Sequence, residues 1–289
     1  MFRIIPAFRD GAQIYKLLSI FDRCFAFGEF WLDTLTMKIT LMQMDTVWAD
    51  PAENAARISR LMDANPGSDL YVLPEMFSTG FITDSAQDSE HSPYPTLGHM
   101  QEWADSRGCA IAGSIAMEVD GSYRNRLCFV RPGGDVSIYD KRHLFTYGGE
   151  DRKFSGGCER VIAEWKGIRF LLLVCYDLRF PVWARNRKDY DAIICVANWP
   201  QQRASAWDML TRARAIENQA FVVCVNRAGR DKAGIYRGGS ALIGPRGETL
   251  ASCEDFRESV VTGEIRMDDL EWFRREFPVL DDADGFRLF

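Results

Sequence analysis

Hydrophobic and polar positions follow two alternating patterns from Met37 onward. Short, nearly continuous apolar runs bounded by turn residues predict β-strands, and apolar positions at helical spacing predict α-helices. Asp50 at an N-cap position, followed by Pro51, marks the start of one helix. The predicted strands cover residues 38–44, 69–75, 109–119, 124–130, 136–141, 168–177, 192–198, 221–228, 239–248 and 259–265. The predicted helices cover residues 50–64, 97–108, 181–189 and 204–220, the last with Met209, Ala213, Ile216 and Ala220 at helical spacing.

The predicted strands are apolar along almost their whole length, which indicates burial on both faces. Hairpins and β-α-β crossovers within one continuous pattern predict a layered α/β fold. We predict a single domain over residues 37–270, because no linker or low-complexity segment interrupts it. Residues 1–36 are predicted to be an N-terminal extension with little structural role, or alternatively an additional helix packed on the domain. The tail, residues 271–289, is too apolar to be free in solvent, and a second subunit is a candidate for what it contacts.

Composition restricts the classes of protein to which the chain can belong. Of 289 residues, 47% are hydrophobic and 26% are charged, which is typical of a soluble globular protein. The formal net charge of −6 and the absence of a Lys/Arg-rich block argue against a nucleic-acid or anionic-membrane partner. No apolar run reaches the roughly 18 residues that a membrane span needs, and residues 1–36 do not resemble a secretory signal.

The eight cysteines are scattered, mostly within apolar runs, and none forms a C-x-x-C pair. This usage is typical of a reducing compartment, so we expect a cytoplasmic protein without a disulfide framework. The spacing of Cys, His and acidic residues matches no metal site, and "GPRGE" is typical of a hairpin turn rather than a phosphate-binding loop. We therefore expect no metal and no other cofactor.

Three polar residues end three apolar strands, where side chains leave the core. They are Glu75 after "LYVLP", Lys141 after "VSIYD" and Cys175 after "FLLLV". A thiolate, a carboxylate and an ammonium group together can carry out acyl transfer without a histidine. Taken singly, each has a structural interpretation: a core cysteine, a loop carboxylate and a solvated strand end. Cys195 and Cys224, in similar runs, are interpreted as core residues.

The segments around these residues resemble a known family. The stretches "LPEMFSTGF", "YDKRHLF" and "VCYDLRFPVWARN" closely resemble the nitrilase (carbon–nitrogen hydrolase) superfamily, whose signature is a Glu–Lys–Cys triad. "VANWP" and "RARAIENQAFVVCVNRAG" agree with it in order and spacing, so the resemblance runs from Met37 to about residue 277. "KRHLFTYGGED", "ANWPQQRASAWDMLTRARAIENQ" and "YRGGSALIGPRGE" are most similar to bacterial omega-amidases. The resemblance implies an α/β fold of the nitrilase type, a four-layer α-β-β-α sandwich.

The resemblance also implies a role for each matching residue. Glu75 would be the general base and Cys175 the nucleophile that forms a thioester. Lys141 and the backbone N–H of Tyr176 would form the oxyanion hole. Glu150 would orient Lys141 and the substrate amide, although the segment between Lys141 and Glu150 is shorter here than in many members of the family.

Three further residues have two interpretations each. Asn198 and Trp199 would line the substrate pocket, but "NWP" is equally compatible with a structural turn. Arg179 would bind a substrate carboxylate or, as we favour, pair with Asp177 or another acidic group in a structural role.

The resemblance predicts an amidase that hydrolyses the terminal amide of small ω-amido-dicarboxylic acids, such as α-ketoglutaramate, and releases ammonia. The alternatives are an N-carbamoyl hydrolase or a nitrilase of the same superfamily, and a non-catalytic nitrilase-like scaffold. A Cys–His–Glu glutaminase is set aside, because "LVCYD" has no glycine-rich elbow and no histidine follows His143, which lies beside Lys141. A small-molecule amide is the expected partner, and a homodimer is the expected assembly.

Overall fold

The computed structural model describes residues 35–83 and 88–287. The prediction for residues 1–36 therefore lies outside the described residues, apart from its last two positions. The helices are α1 (Pro51–Ala64), α2 (Pro95–Arg107), α3 (Pro181–Ala184), α4 (Ala204–Asn218) and α5 (Met267–Glu276). The strands are β1 (Thr36–Gln43), β2 (Leu70–Val72), β3 (Ala110–Val119), β4 (Ser122–Val130), β5 (Val136–Asp140), β6 (Ile162–Trp165), β7 (Ile168–Val174), β8 (Ala192–Ala197), β9 (Phe221–Asn226), β10 (Ala228–Asp231), β11 (Gly234–Arg237), β12 (Ala241–Ile243), β13 (Thr249–Ser252) and β14 (Ser259–Arg266).

Twelve of the described strands form two six-stranded sheets with related topologies. The first sheet has the order β14-β1-β2-β3-β4-β5, and the second has the order β13-β12-β9-β8-β7-β6. At the centre of each sheet three strands run parallel, β1-β2-β3 in the first and β7-β8-β9 in the second. Helices connect these parallel strands, as a parallel crossover requires. Strands β10 and β11 form a separate hairpin.

The two sheets pack face to face, with α1 and α2 outside the first sheet and α4 outside the second. Leu70 and Val72 of β2 share the central core with Phe170 of β7. The residue between them, Tyr71, belongs to a second core with Ile58 of α1, because side chains alternate between the two faces of a strand. The predicted four-layer α-β-β-α sandwich is confirmed.

Helix α4 packs on the second sheet through a face that differs from the one predicted by its apolar spacing. Its buried side chains include Trp207, Thr211 and Ala215. Two members of the apolar series, Met209 and Ile216, are instead 70% and 53% exposed. Packing against the sheet decides which face is buried, and here that face is the one with the large Trp207 ring.

Several other elements differ from the sequence prediction. The helix predicted over 181–189 ends at Ala184, because Asn186 bonds the backbone of Tyr190 and Asn218 instead of continuing it. Short strands such as β6 and the β10–β11 hairpin were not predicted, since so few residues carry no clear alternation.

The first part of the tail packs on its own chain. Arg274 of α5 forms an ion pair with Asp191 (2.9 Å) and donates to the backbone oxygens of Tyr190 and Gln219. Gln219 in turn donates to the Phe277 oxygen at 2.6 Å. Residues 267–277 are thereby attached to the end of the second sheet from which β8 and β9 start. The expected contact of the tail with a second subunit stays a prediction.

Candidate active site

Four polar residues that follow four strands meet at one end of the sandwich. Glu75 follows β2 and Lys141 follows β5 in the first sheet, while Cys175 follows β7 and Asn198 follows β8 in the second sheet. The carboxyl ends of parallel strands are where ligand sites collect in α/β folds. The structure therefore brings together the three residues with candidate chemistry and Asn198 from distant parts of the chain.

The Lys141 ammonium group lies between two buried carboxylates. Its Nζ is 2.8 Å from Glu75 Oε1 and 2.8 Å from Glu150 Oε2, and all three side chains are fully buried. Nζ also contacts Glu150 Oε1 at 3.1 Å. Glu150 was expected to orient Lys141, and the structure places it in that position.

Both carboxylates are held by further donors. Asn125 Nδ2 bridges them, at 2.8 Å from Glu75 Oε1 and 3.0 Å from Glu150 Oε1. The Phe145 N–H donates to Glu150 Oε2 at 2.7 Å, so each Glu150 oxygen accepts two bonds. Glu75 Oε2 receives one donor from these neighbours, the Asn198 N–H at 2.7 Å. Glu75 Oε2 is consequently the oxygen with room to accept a proton.

Burial and mutual charge determine the protonation of this cluster. Burial would lower the pKa of Lys141, but the carboxylates of Glu150 and Glu75 outweigh it and hold that pKa well above its usual range. Burial raises the pKa of Glu150, with the Lys141 ammonium opposing and Glu75 adding to the rise. Lys141 therefore stays cationic at neutral pH and can stabilise a developing negative charge.

Cys175 begins a turn of 3₁₀ helix directly after β7 and has φ of +48°, in the left-handed region that non-glycine residues rarely adopt. Burial, followed by the adjacent Glu75 carboxylate, raises the pKa of the Cys175 thiol well above its ordinary value, with Lys141 opposing. The resting group is therefore a thiol beside a carboxylate. The positive φ of Cys175 strains the backbone, and such strain is typical of functional sites.

A cavity of about 600 Å³ opens onto Cys175. Its wall is rich in aromatic side chains, and Asn198 also contributes to it. The aromatic lining residues are Trp48, Phe81, Phe145, Tyr147, Tyr176, Trp199 and Tyr236. The volume and the combination of aromatic and polar lining residues are typical of a small-molecule site.

Asn198, Trp199 and Arg179, which each have two interpretations from the sequence, all line the cavity. Asn198 and Trp199 also make structural hydrogen bonds. Asn198 lines the cavity and also donates Nδ2 to the Glu75 backbone oxygen at 2.8 Å. Trp199 lines the cavity while its indole N–H bonds the Arg203 oxygen at 2.7 Å. Arg179 also lines the cavity, and its guanidinium lies 4.9 Å from the centre of the Trp199 ring. It forms no ion pair with Asp177 or any other acidic residue that the structure describes.

Sequence reasoning missed Asn125, although its pattern carried a signal. On β4, Leu127 and Phe129 face the other sheet, so Asn125 lies on the same core-directed face two positions earlier. A polar residue at such a position needs a buried partner, and here the partners are two carboxylates.

Gly113 allows the Glu75 loop to lie close to β3. A Cβ atom at Gly113 would lie 2.9 Å from Leu73 Cβ and 2.8 Å from a ring atom of Phe77, on either side of Glu75. Gly113→Ala is expected to lower stability by about 1–3 kcal/mol through overpacking. Displacement of Glu75 should also lower kcat about tenfold or more.

Thermal unfolding and steady-state kinetics measure both effects of Gly113→Ala. Gly98→Ala is the matched control, because Gly98 lies on the exposed face of helix α2 with open space around its Cα. That variant should gain about 0.5–1 kcal/mol and keep its activity. Unchanged activity in Gly113→Ala would contradict this account of the loop.

Two findings concern other kinds of site. Within residues 35–83 and 88–287, no cluster of three or more His, Cys, Asp or Glu side chains could hold a metal ion. Over the same ranges, no helix has both the length and the apolar character needed to cross a bilayer.

Comparison with known proteins shows to which family the chain is similar. Residues 38–275 match the model of the carbon-nitrogen hydrolase family. The chain is 44% identical to "Omega-amidase YafV" of Escherichia coli, over 88% of this chain and 99% of that protein. It is 30% identical to "2-oxoglutaramate amidase" of Bacillus subtilis, over 84% and 96% of the two chains.

Among solved structures, the chain is similar to XC1258 from Xanthomonas campestris, a CN-hydrolase superfamily protein with an arsenic adduct in its active site. The TM-score is 0.86 at 41% identity, covering 88% of this chain and all of that one.

Proposed function

The chain belongs to the carbon–nitrogen hydrolase family, and we propose that it is an omega-amidase that hydrolyses the terminal amide of small ω-amido-dicarboxylic acids. The observation that carries the proposal is the buried Glu75–Lys141–Glu150 cluster beside Cys175 at the cavity. The names of the two similar amidases support the substrate class. α-Ketoglutaramate is the expected substrate.

In the proposed reaction, Cys175 Sγ attacks the amide carbon while its proton passes to Glu75. The raised pKa of the thiol makes this transfer part of the attack rather than a prior ionisation. The tetrahedral intermediate collapses with breakage of the C–N bond, and Glu75 returns the proton to the leaving nitrogen, which departs as ammonia. Water then attacks the thioester and gives a proton to Glu75. The C–S bond breaks, Glu75 returns that proton to the Cys175 sulfur, and the acid product leaves.

The negative oxygen of both tetrahedral intermediates needs donors. An ammonium group has three N–H donors, and one bond to Glu75 with one bifurcated bond to Glu150 leaves a third for the substrate oxygen. The Tyr176 N–H lies in the first residues of a helical turn, where backbone N–H groups have no partner within the turn. We propose that Lys141 and Tyr176 together supply the oxyanion hole.

Three cationic side chains suit the distal carboxylate of such a substrate. Arg179, Arg203 and Lys232 line the cavity. None of them forms an ion pair with an acidic residue in the part of the chain that the structure describes. Arg203 lies 4.9 Å from the centre of the Phe145 ring, and Lys232 lies 4.3 Å from the centre of the Trp48 ring. Aromatic rings keep these cations in the cavity without neutralising them.

Arg203→Ala and Lys232→Ala are expected to raise KM for α-ketoglutaramate about 5- to 10-fold, about 1–1.4 kcal/mol, with kcat nearly unchanged. Hydrolysis of butyramide, which has no carboxylate, should not change. The matched control is Arg230→Ala. Arg230 is an exposed cation on the β10–β11 hairpin, which also carries Lys232, but it does not line the cavity. Equal effects on the two substrates would contradict carboxylate recognition.

A panel of amides, N-carbamoyl compounds and nitriles separates the proposed function from its alternatives. Ammonia release with α-ketoglutaramate far above the other classes would support the omega-amidase, whereas preference for another class would identify a carbamoyl hydrolase or a nitrilase. A scaffold would release no ammonia and would show no thioester adduct at Cys175 by intact mass.

The expected assembly and location remain proposals. We propose that the exposed Met209 and Ile216 side chains, two turns apart on one face of α4, contribute to a homodimer contact, since exposed apolar side chains grouped on one face often mark interfaces. The seven cysteines within the described residues are all free, in agreement with a reducing, cytoplasmic location.

A further inference from the structure

The proposed catalytic groups are divided between two sheets that have no strand in common. Glu75 and Lys141 belong to the first sheet, and Cys175 to the second. The core between the sheets is apolar, and apolar packing is non-directional. Directional contacts at the end of the sandwich must therefore fix the position of the nucleophile relative to the ammonium group.

One such contact is already described. The Asn198 N–H and Nδ2 of the second sheet donate to Glu75 of the first, at 2.7 Å and 2.8 Å. This contact aligns the general base with the second sheet but leaves the Lys141 strand and the Cys175 turn without a connection of their own.

Asp177 supplies that second connection. Its Oδ2 accepts from the Val174 N–H at 3.0 Å, directly before Cys175, and from the Tyr139 hydroxyl of β5 at 2.8 Å. Its Oδ1 accepts from the backbone N–H of His143 at 2.9 Å and lies 2.8 Å from His143 Nδ1. The Asp177 carboxylate is fully buried.

The spacing along the chain shows what these bonds connect. Asp177 lies two residues after Cys175, and His143 lies two residues after Lys141. We propose that Asp177 is a positioning residue, which joins the nucleophile turn to the strand of Lys141 and so sets the distance between thiol and ammonium. The inference rests on the proposed roles of Cys175 and Lys141.

The connection through Asp177 also holds the strained backbone of Cys175 in place. A non-glycine residue at φ of +48° persists only where its surroundings hold it. Asp177 Oδ2 bonds the N–H of Val174, the residue before the strained position, and the turn continues from Cys175 to Arg179. Loss of this bond frees the turn at the nucleophile.

Asp177→Asn is a sharp test because it keeps the size of the side chain. An amide has one acceptor oxygen and an NH₂ group, whereas two backbone N–H groups, from Val174 and His143, point at different oxygens of Asp177. Either orientation of the introduced amide therefore leaves one backbone N–H facing a donor. We expect kcat to fall about 10- to 100-fold with KM changed less than about threefold.

Asp191→Asn is the matched control. Asp191 is also a buried carboxylate that accepts several bonds, from Arg169 and Arg274, but it lies at the opposite end of β8 from Asn198. This variant should lose thermal stability and keep kcat. If Asp177→Asn does not fold, His143→Ala carries the test. It removes only the contact between His143 Nδ1 and Asp177, keeps both backbone bonds to Asp177, and should lower kcat by about 3- to 10-fold.

Alkylation of Cys175 by iodoacetamide gives a readout that needs no substrate. The rate at Cys175, followed by peptide mass, should fall in Asp177→Asn, while the rate at exposed Cys158 stays constant as an internal standard. Unchanged kcat and unchanged Cys175 alkylation in a folded Asp177→Asn variant would overturn the inference. If the wild-type protein hydrolysed no amide but the alkylation rate still fell, the proposed function would fail and the positioning role would stand.

Discussion

Cys175→Ala is expected to lower amide hydrolysis by about 10⁴-fold or more, because nucleophile removal in enzymes of this kind of chemistry costs that much. The variant keeps the cavity, Lys141 and Glu75, so substrate should still bind. Removing one sulfur atom from a residue at the cavity wall leaves the packing of β7 intact, and thermal unfolding should change little. Ammonia release and circular dichroism measure the two effects.

The matched control is Cys195→Ala. Cys195 lies on β8 opposite Leu173 of β7 and is fully buried in the core. Its loss should cost about 1 kcal/mol of stability through lost packing and leave kcat within about twofold. A folded Cys175→Ala protein that still releases ammonia at the wild-type rate would end the assignment of the nucleophile.

Lys141→Met is expected to lower both stability and activity. The substitution keeps much of the side-chain volume but leaves Glu75 and Glu150 buried without their cation. Removing one partner from a buried ion pair costs about 3–5 kcal/mol. Loss of the proposed oxyanion donor should lower kcat at least about 10²- to 10³-fold. Denaturant unfolding and ammonia release are the measurements.

The double variant Lys141→Met/Glu150→Gln separates these two losses. Neutralising Glu150 removes one uncompensated charge, so stability should partly return while kcat stays as low as in the single variant. Full stability in the single variant would show that the cluster carries no buried charge.

The pH dependence of Lys141→Met follows from burial. Burial already raises the pKa of Glu150, and the variant lacks the ammonium group that opposes the rise. A carboxyl group with a raised pKa in the folded state binds a proton that the unfolded chain releases. Its stabilising contribution is present at low pH and is lost as the pH rises through the folded-state pKa. The stability deficit relative to wild type should therefore shrink as the pH falls from about 8 to about 5.

The site explains how buried charge is tolerated in an apolar sandwich. Lys141 and Asn125 each donate to both Glu75 and Glu150, and among the polar side-chain atoms of these four residues only Asn125 Oδ1 has no partner within the described residues. Such a network is costly when incomplete and rigid when satisfied. Rigidity at this point benefits a site whose parts come from two separate sheets.

The sequence by itself determined the layered fold and the candidate residues. Apolar runs identify strands because a polar side chain is costly on a strand that is buried on both faces. Strands β8 and β9 are buried in this way. The same reasoning places Glu75 and Cys175 at the ends of such runs, whereas Lys141 follows Asp140 at the end of the less buried strand β5 and is identified mainly by the family resemblance. Their catalytic roles stay predictions, carried by the family resemblance and the proposed chemistry.

Only the tertiary structure decided which polar groups meet. Asn125 bridges two carboxylates, Asp177 joins two sheets, and Arg203 and Lys232 reach one cavity from separate elements. It also decided that α4 buries Trp207 and exposes Met209. Periodicity reports which side chains of one element share a face, but a hydrogen bond or an ion pair depends on distances of a few ångströms between residues far apart in the chain. Those distances are set by how the layers pack, and a pattern along one strand contains no information about its neighbour's position.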